Sequence, residues 1–158
     1  MNQSINYTEI YNNYSPKILR YLNSTFSIED SEDLLQEIFI KVHNSLHTFR
    51  SESSLNTWIY KIATNATIDK LKSKSFRFSK THDELNPQMH YNNRHLTTTF
   101  DTQIEKDEMY DCIRQFIGEL TEKNRTTFVL SQYEGLTNAE ISEILQISID
   151  SVKIRLHR

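Results

Sequence analysis

Between Arg50 and Lys74 the chain gathers side chains suited to holding an unstacked nucleic-acid strand. Ser53, Ser54 and Thr57 bring hydroxyls, Asn56 and Asn65 amides, Lys61 and Lys72 ammonium groups, and Trp58 and Tyr60 aromatic rings. Hydroxyls and amides bond base edges, lysines hold phosphates, and rings stack on displaced bases. Such work needs a helix to position it. Leu55, Trp58, Ile59, Ile62, Ala63 and Ala66 recur at the spacing that keeps one helix face apolar. At about 100° per residue, Thr57, Lys61, Thr64, Asn65, Ile68 and Lys72 then gather on the opposite face, with Trp58 and Tyr60 at its flanks. Ser53 or Ser54 is expected to cap the helix by accepting first-turn amide hydrogens. An ordinary surface helix with solvated lysines has the same pattern, so this stretch alone leaves both readings open.

Other chemistries find no constellation in the sequence. There is no Ser/His/Asp or Cys/His arrangement, no phosphate-binding glycine loop and no pair of carboxylates spaced for acid–base work, so an enzyme with a small-molecule substrate is not expected. His43 and His47 stand at i, i+4 but lack a third ligand, and the single Cys112 has no partner for a disulfide or a zinc site. Neither a metal nor another cofactor is expected.

The 158 residues are 37% hydrophobic and 11% aromatic, enough to fold as one compact domain or two small ones. Two glycines and two prolines are too few for the turns of an all-β chain, so the expected fold class is all-α, as two small helical domains joined by a flexible linker. The first ten residues lack a charged, then apolar, leader pattern, and no stretch is apolar enough to span a bilayer. The expected location is cytoplasmic, without membrane insertion. Net charge is −3, but it is unevenly placed. Residues 1–50 hold four basic and six acidic side chains, 51–80 six and two, 81–147 five and twelve, and 148–158 three and one. An acidic scaffold with two basic islands suits a protein that touches DNA at two places and binds it weakly alone.

In chain order, Tyr7, Ile10, Tyr14, Ile18 and Leu22 predict a helix, or two helices bent near Ser15 and Pro16. Residues 28–49 predict a second, with Leu35, Ile38, Phe39, Val42 and Leu46 inward and acids in the first turn. Its outer face carries Asp33, Gln36, Glu37, Ile40, Lys41 and Asn44. An isoleucine ringed by polar groups resembles the centre of a protein interface, although a lone exposed isoleucine is also common. Residues 1–75 are read as the first domain, 76–103 as a linker without periodicity, and 104–158 as the second domain. In the second, Gly118 is expected to end a helix, and Thr121 to cap another bearing Phe128, Val129, Leu130 and Tyr133 and closed near Gly135.

The last stretch is LTNAEISEILQISIDSVKIRLHR. Thr137 and Glu140 form a capping box for a helix with Ala139, Ile141, Ile144 and Leu145 inward. Gln146-Ile147-Ser148 makes a three-residue turn, and Ser148 caps a final helix with Ile149, Val152 and Leu156 inward. This is helix-turn-helix spacing. Ser151, Ile154, Arg155 and Arg158 turn outward with Lys153 at the edge, a short basic face of the size that enters a major groove. A plain αα-hairpin with a basic end has similar residues.

Taken together, EDLLQEIF, TFRSESSLNTWIYKIATNATIDKLK and EGLTNAEISEILQISIDSVKIRLHR resemble the bacterial extracytoplasmic-function (ECF) RNA polymerase sigma factors, over nearly all the chain except the linker. The resemblance implies a non-enzymatic transcription initiation factor whose partners are core RNA polymerase, promoter DNA and an anti-sigma factor. It implies that the helix from Asp33 to Asn44 docks on polymerase, that the loop and helix from Ser53 to Lys72 melt the minus-ten element and capture a flipped base, and that the helix from Ser148 to Arg158 reads the minus-thirty-five duplex. The alternatives are a conventional helix-turn-helix repressor or activator working without polymerase, and a helical protein-interaction module. The loop before Trp58 favours the sigma factor, since a duplex-only binder needs no single-strand pocket. Three residues depart from the family pattern: Thr64 replaces a frequent basic residue, and Gln146 and Asp150 replace frequent glycines. If position 146 is left-handed, Gln costs about 1 kcal/mol relative to Gly there.

Overall fold

The computed structural model describes residues 6–80 and 115–157, with only the backbone described for 74–80. All regular structure among the described residues is helical.

Helix α1 (Tyr7–Asn23) starts where the Asn6 side chain accepts the Thr8 amide at 3.0 Å. It runs unbroken through Pro16, so of the two expected forms it takes the single helix. Helix α2 (Ile28–Ser45) is capped by Ser27, whose Oγ accepts the Asp30 amide at 3.3 Å, and carries Glu29 and Asp30 where they complement the helix dipole. It ends at Ser45 and tightens into a 3₁₀ turn over Leu46–Thr48, earlier than the sequence pattern predicted. Leu34, Ile38, Phe39 and Val42 are buried in the core, while Leu35 and Leu46 sit at its edge. The Tyr7 hydroxyl donates to the Phe39 carbonyl at 3.3 Å, and the Tyr11 ring meets Phe39 edge-on at 4.9 Å, fastening α1 to α2. Helix α3 (Leu55–Lys80) lies across both. Lys70 ties it to α2, donating to the Asp30 carbonyl at 3.1 Å and pairing with its carboxylate at 3.2 Å.

α3 overlaps the first residues of the segment read as linker, and the rest of that segment, with Cys112 and Ile113, lies outside the described residues. Residues 115–119 are helical (α4) and include Gly118, which does not end the helix. Arg125 fastens that end instead, its guanidinium donating to the carbonyls of Ile117 (3.0 Å), Gly118 (2.6 Å) and Leu120 (3.0 Å). Helix α5 (Glu122–Phe128) begins after Thr121, whose carbonyl accepts the Arg125 amide but whose hydroxyl makes no capping bond. α5 continues as a π-helical turn, Val129–Tyr133, in which the Glu134 amide reaches back five residues to the Val129 carbonyl at 3.2 Å. Gly135, at φ 66°, supplies the left-handed residue that lets the chain leave the helix.

Helices α6 (Asn138–Leu145) and α7 (Ile149–His157) follow. The expected capping box is present: Glu140 accepts the Thr137 amide at 2.9 Å, and Thr137 Oγ1 accepts the Glu140 amide at 3.3 Å. Ile141, Ile144 and Val152 are buried, but Ala139 and Ile149, expected inward, are exposed. The helices are only eight and nine residues long, so each presents one narrow inward stripe, and positions at its margin stay wet. α6 also packs on α3, and α1 on the π turn, so the core is continuous between the two groups of helices.

Candidate nucleic-acid interface

The loop before α3 holds Ser51 at φ 56°, left-handed for a residue with a side chain. Of the two expected caps it is Ser54 that acts, its Oγ accepting the Thr57 amide at 3.0 Å while its carbonyl accepts that of Trp58. The Phe49 ring lies 5.2 Å from Trp58, closing the loop over the helix start. Ser54, Asn65 and Lys72 are exposed; Ser53, Asn56, Trp58, Lys61 and Ile68 are half-buried.

Thr57, Tyr60 and Thr64, expected on or beside the open face, are instead buried, as is Thr67. These four fall at i, i+3, i+7 and i+10, one stripe of the helix, beside the Ile59/Ala63/Ala66/Lys70 stripe that faces α2. α3 therefore has two covered sides, and the open face narrows to Lys61, Asn65, Ile68 and Lys72. Tyr21 of α1 lies against this stripe, its ring 6.3 Å from that of Tyr60, α6 packs on α3 as well, and a contact that no local pattern announces adds to them. Glu134 reaches α3 and α1 from the far end of the chain, accepting from the Tyr60 hydroxyl at 2.6 Å and from Arg20 at 3.1 Å (Nε to Oε1) and 2.8 Å (Nη2 to Oε2). Burial and the bond to Glu134 raise the Tyr60 pKa strongly, and the same carboxylate raises that of Arg20. Tyr21, fully enclosed on α1, is likewise raised by burial.

On α2 the six predicted residues Asp33, Gln36, Glu37, Ile40, Lys41 and Asn44 are all exposed, Ile40 at 59%. On α7, Ser148 caps as expected, accepting the Ser151 amide at 3.1 Å. Lys153 and Ile154 are exposed, but Ser151 and Arg155 are half-buried, and Ser151 spends its hydroxyl on Ser148 at 2.8 Å. Asp150 pairs with Lys153 at 3.6 Å, which offsets part of the basic face. Arg158 lies outside the described residues. Gln146 is left-handed at φ 54°, ψ 45°. The turn thus keeps the geometry that glycine suits while carrying a side chain.

The Sigma-70 region 2 family matches residues 10–77, and the Sigma-70, region 4 family matches 110–158. The chain is 32% identical over 146 residues to the ECF RNA polymerase sigma factor SigW of Bacillus subtilis, covering 84% of this chain and 72% of that one. It belongs to the ECF RNA polymerase sigma factors. The sigma factor is also 29% identical over 154 residues to the B. subtilis RNA polymerase sigma factor YlaC, covering 95% of this chain and 85% of that one. Its fold resembles the sigma factor RpoE of Bartonella quintana, solved with the anti-sigma factor NepR, at TM-score 0.72 and 15% identity over 96% of this chain and 90% of that one. CnrH, solved with the cytosolic domain of CnrY, has TM-score 0.67 and 16% identity over 96% and 80% of the two chains. The chain is accordingly a transcription initiation factor that directs RNA polymerase to promoters, which sets aside the repressor and interaction-module readings. Among the described residues no helix is long and apolar enough to cross a membrane, and no three His, Cys, Asp or Glu side chains gather as a metal site.

Proposed function

We propose that this sigma factor divides its work among three surfaces. The face of α2 around Ile40 docks on core polymerase: an exposed apolar residue ringed by Asp33, Gln36, Glu37, Lys41 and Asn44 has the makings of an interface centre. The Ser51–Ser54 loop, Trp58 and the open face of α3 hold the opened minus-ten strand. Lys153, Ile154 and Arg155 on α7, with Arg158, meet the minus-thirty-five duplex. An anti-sigma protein is the regulatory partner, in keeping with the complexes in which RpoE and CnrH were solved. RNA synthesis itself belongs to the polymerase. The observation that carries the reading is the strained, capped loop at the head of α3, since backbone strain with exposed polar groups collects at binding sites and duplex readout alone gives it no use. Run-off transcription from a genomic promoter library with core polymerase, with and without this chain, tests it. Promoter-specific transcripts that depend on the chain are expected; none would sink the reading, as would tight sequence-specific binding by the free chain in a gel shift at physiological salt.

A further inference from the structure

The final helix turns an apolar side chain to the place where a groove reader would carry a hydrogen-bonding one. Val152 is the only fully buried residue of α7 among those described, so it marks the inward direction, toward α5 and α6. Asp150 and Ile154 each lie two residues from it. At about 100° per residue, that sets both some 160° round the helix, at the pole of the outward face. Ile154 is 54% exposed there and the Asp150 side chain 88%. Lys153 and Ser151 stand to either side of the pole, and Arg155 turns back toward the core and is half-buried.

This pole offers few hydrogen bonds to a base edge. The side chains that most often read bases are Arg, Lys, Asn and Gln. α7 holds no Asn or Gln, its Arg155 is half-buried, and Lys153 pairs with Asp150 at 3.6 Å, which also engages the carboxylate. Ser151 shares its hydroxyl with Ser148 at 2.8 Å. An acid and an isoleucine do not hold phosphates either, so a duplex that meets this face sets its backbone against the flanking cations and its base edges against the pole. The apolar group that base pairs present in the major groove is the C5-methyl of thymine. Isoleucine suits it. A β-branched side chain has one dominant χ1 rotamer in a helix, so its methyl groups stand ordered before binding and little freedom is lost when they are covered.

We infer that Ile154 is a specificity-determining residue that reads thymine by its methyl group, so that one base pair of the upstream duplex is selected by an apolar contact and not by hydrogen bonds. The inference rests on the assignment of α7 to the minus-thirty-five duplex.

The test uses holoenzyme and a promoter recovered by run-off transcription, with each thymine of the upstream element, on either strand, replaced in turn by deoxyuridine. That change removes the methyl and keeps the O4 acceptor and the base pairing. At one position or more it should weaken closed-promoter binding about fourfold, the worth of one buried methyl-sized group. Ile154→Ala should keep the native helical circular dichroism, weaken binding to the thymine promoter by a similar factor, and be indifferent to deoxyuridine at that position. Lys153→Ala should keep the full sensitivity to deoxyuridine while making the salt dependence shallower. If no thymine is sensitive, or if Ile154→Ala loses as much on deoxyuridine as the native chain does, methyl readout by Ile154 is overturned. Failure of the underlying assignment shows elsewhere: Lys153→Ala with Arg155→Ala would then leave closed-promoter binding unchanged, whatever the deoxyuridine series does.

Discussion

The two helices assigned to DNA, α3 and α7, are approached alike and then fare differently. Each follows a turn with a left-handed residue that is not glycine, Ser51 at φ 56° and Gln146 at φ 54°, and each is capped by a serine. Yet α3 is covered on two sides, whereas α7 fully buries only Val152. Length is one cause, because a 26-residue helix offers stripes to both halves of the chain and a nine-residue helix to one. Side-chain chemistry is the other. A threonine can be buried cheaply by bonding its own helix, as Thr67 Oγ1 does in donating to the Ala63 carbonyl at 2.9 Å, while a lysine keeps its ammonium wet. Hydroxyls that suit base edges are therefore also the polar groups most easily taken into an interior contact.

The comparison first depends on polymerase holding both helices. Ile40→Asp should abolish co-purification with core enzyme and so silence α3 and α7 together, with a melting temperature within about 2 °C of native, as for exposed positions generally. Phe39→Ala, one residue away and buried, should instead cost about 3 kcal/mol of stability. If Ile40→Asp melts the protein like Phe39→Ala, its exposed face is structural and the docking assignment fails.

Next, the two helices should fail at different steps. Asn56→Ala with Lys61→Ala should lower permanganate reactivity of promoter thymines roughly tenfold, the worth of one to two good contacts, and a pre-melted bubble should restore part of the transcription. Lys153→Ala with Arg155→Ala should weaken closed-promoter binding, make its salt dependence shallower by about one unit per lost phosphate contact, and gain far less from the bubble. Equal rescue of both pairs would erase the distinction between the helices.

Much of this was legible in the residues. Few glycines and prolines gave the helical class, hydroxyl residues at helix starts gave the caps at Thr137 and Ser148 and narrowed the third to Ser53 or Ser54, and apolar spacing gave the open face of α2, because each depends on composition or on neighbours within a turn or two. The buried side of α3 was not, since periodicity sets a helix's phase against one partner and carries no sign of a second, 74 residues on. Ala139 and Ile149 were assigned inward by type, but short helices cannot cover their margins. Nothing local marks Glu134, an acid beside a helix-ending glycine that reads as a solvated C-terminus.

The covered stripe should also answer to alkali, and α7 should not. Tyr60 faces Glu134 from the C-terminal half and Arg20 and Tyr14 from α1; burial and the carboxylate raise its pKa, against which Arg20 works. A group raised in the folded state stabilises folding fully below its unfolded value, near 10 for tyrosine, and loses that contribution as pH climbs above it. The stability of the chain should therefore fall above about pH 10, the folded-to-unfolded ratio dropping by up to tenfold per unit, which a pH series of chemical denaturation curves reads. Tyr60→Phe, with no proton to lose, should flatten that fall. An identical fall in Tyr60→Phe would assign it to another group.

The smallest effects should come from the two left-handed residues, where they separate strain that serves binding from strain that does not. A side chain at positive φ costs about 1–2 kcal/mol, while glycine gives back about 0.5–1 kcal/mol through its greater freedom when unfolded. Ser51→Gly and Gln146→Gly should each stabilise the chain by a few tenths to about 1 kcal/mol, a rise of some 1–4 °C in melting temperature. At Gln146 the turn only has to set α7 against α6, so Gln146→Gly should leave closed-promoter binding at least as strong as before. At Ser51 the bend belongs to the loop proposed to meet the opened strand, where a freer backbone must be ordered again on binding. Ser51→Gly should thus gain stability yet lose permanganate reactivity by about two- to fivefold, matching the extra freedom of one glycine, about 0.5–1 kcal/mol. If both glycine variants are more stable and neither affects opening, the loop before α3 is strained for reasons of folding alone, and its part in strand capture is disproved.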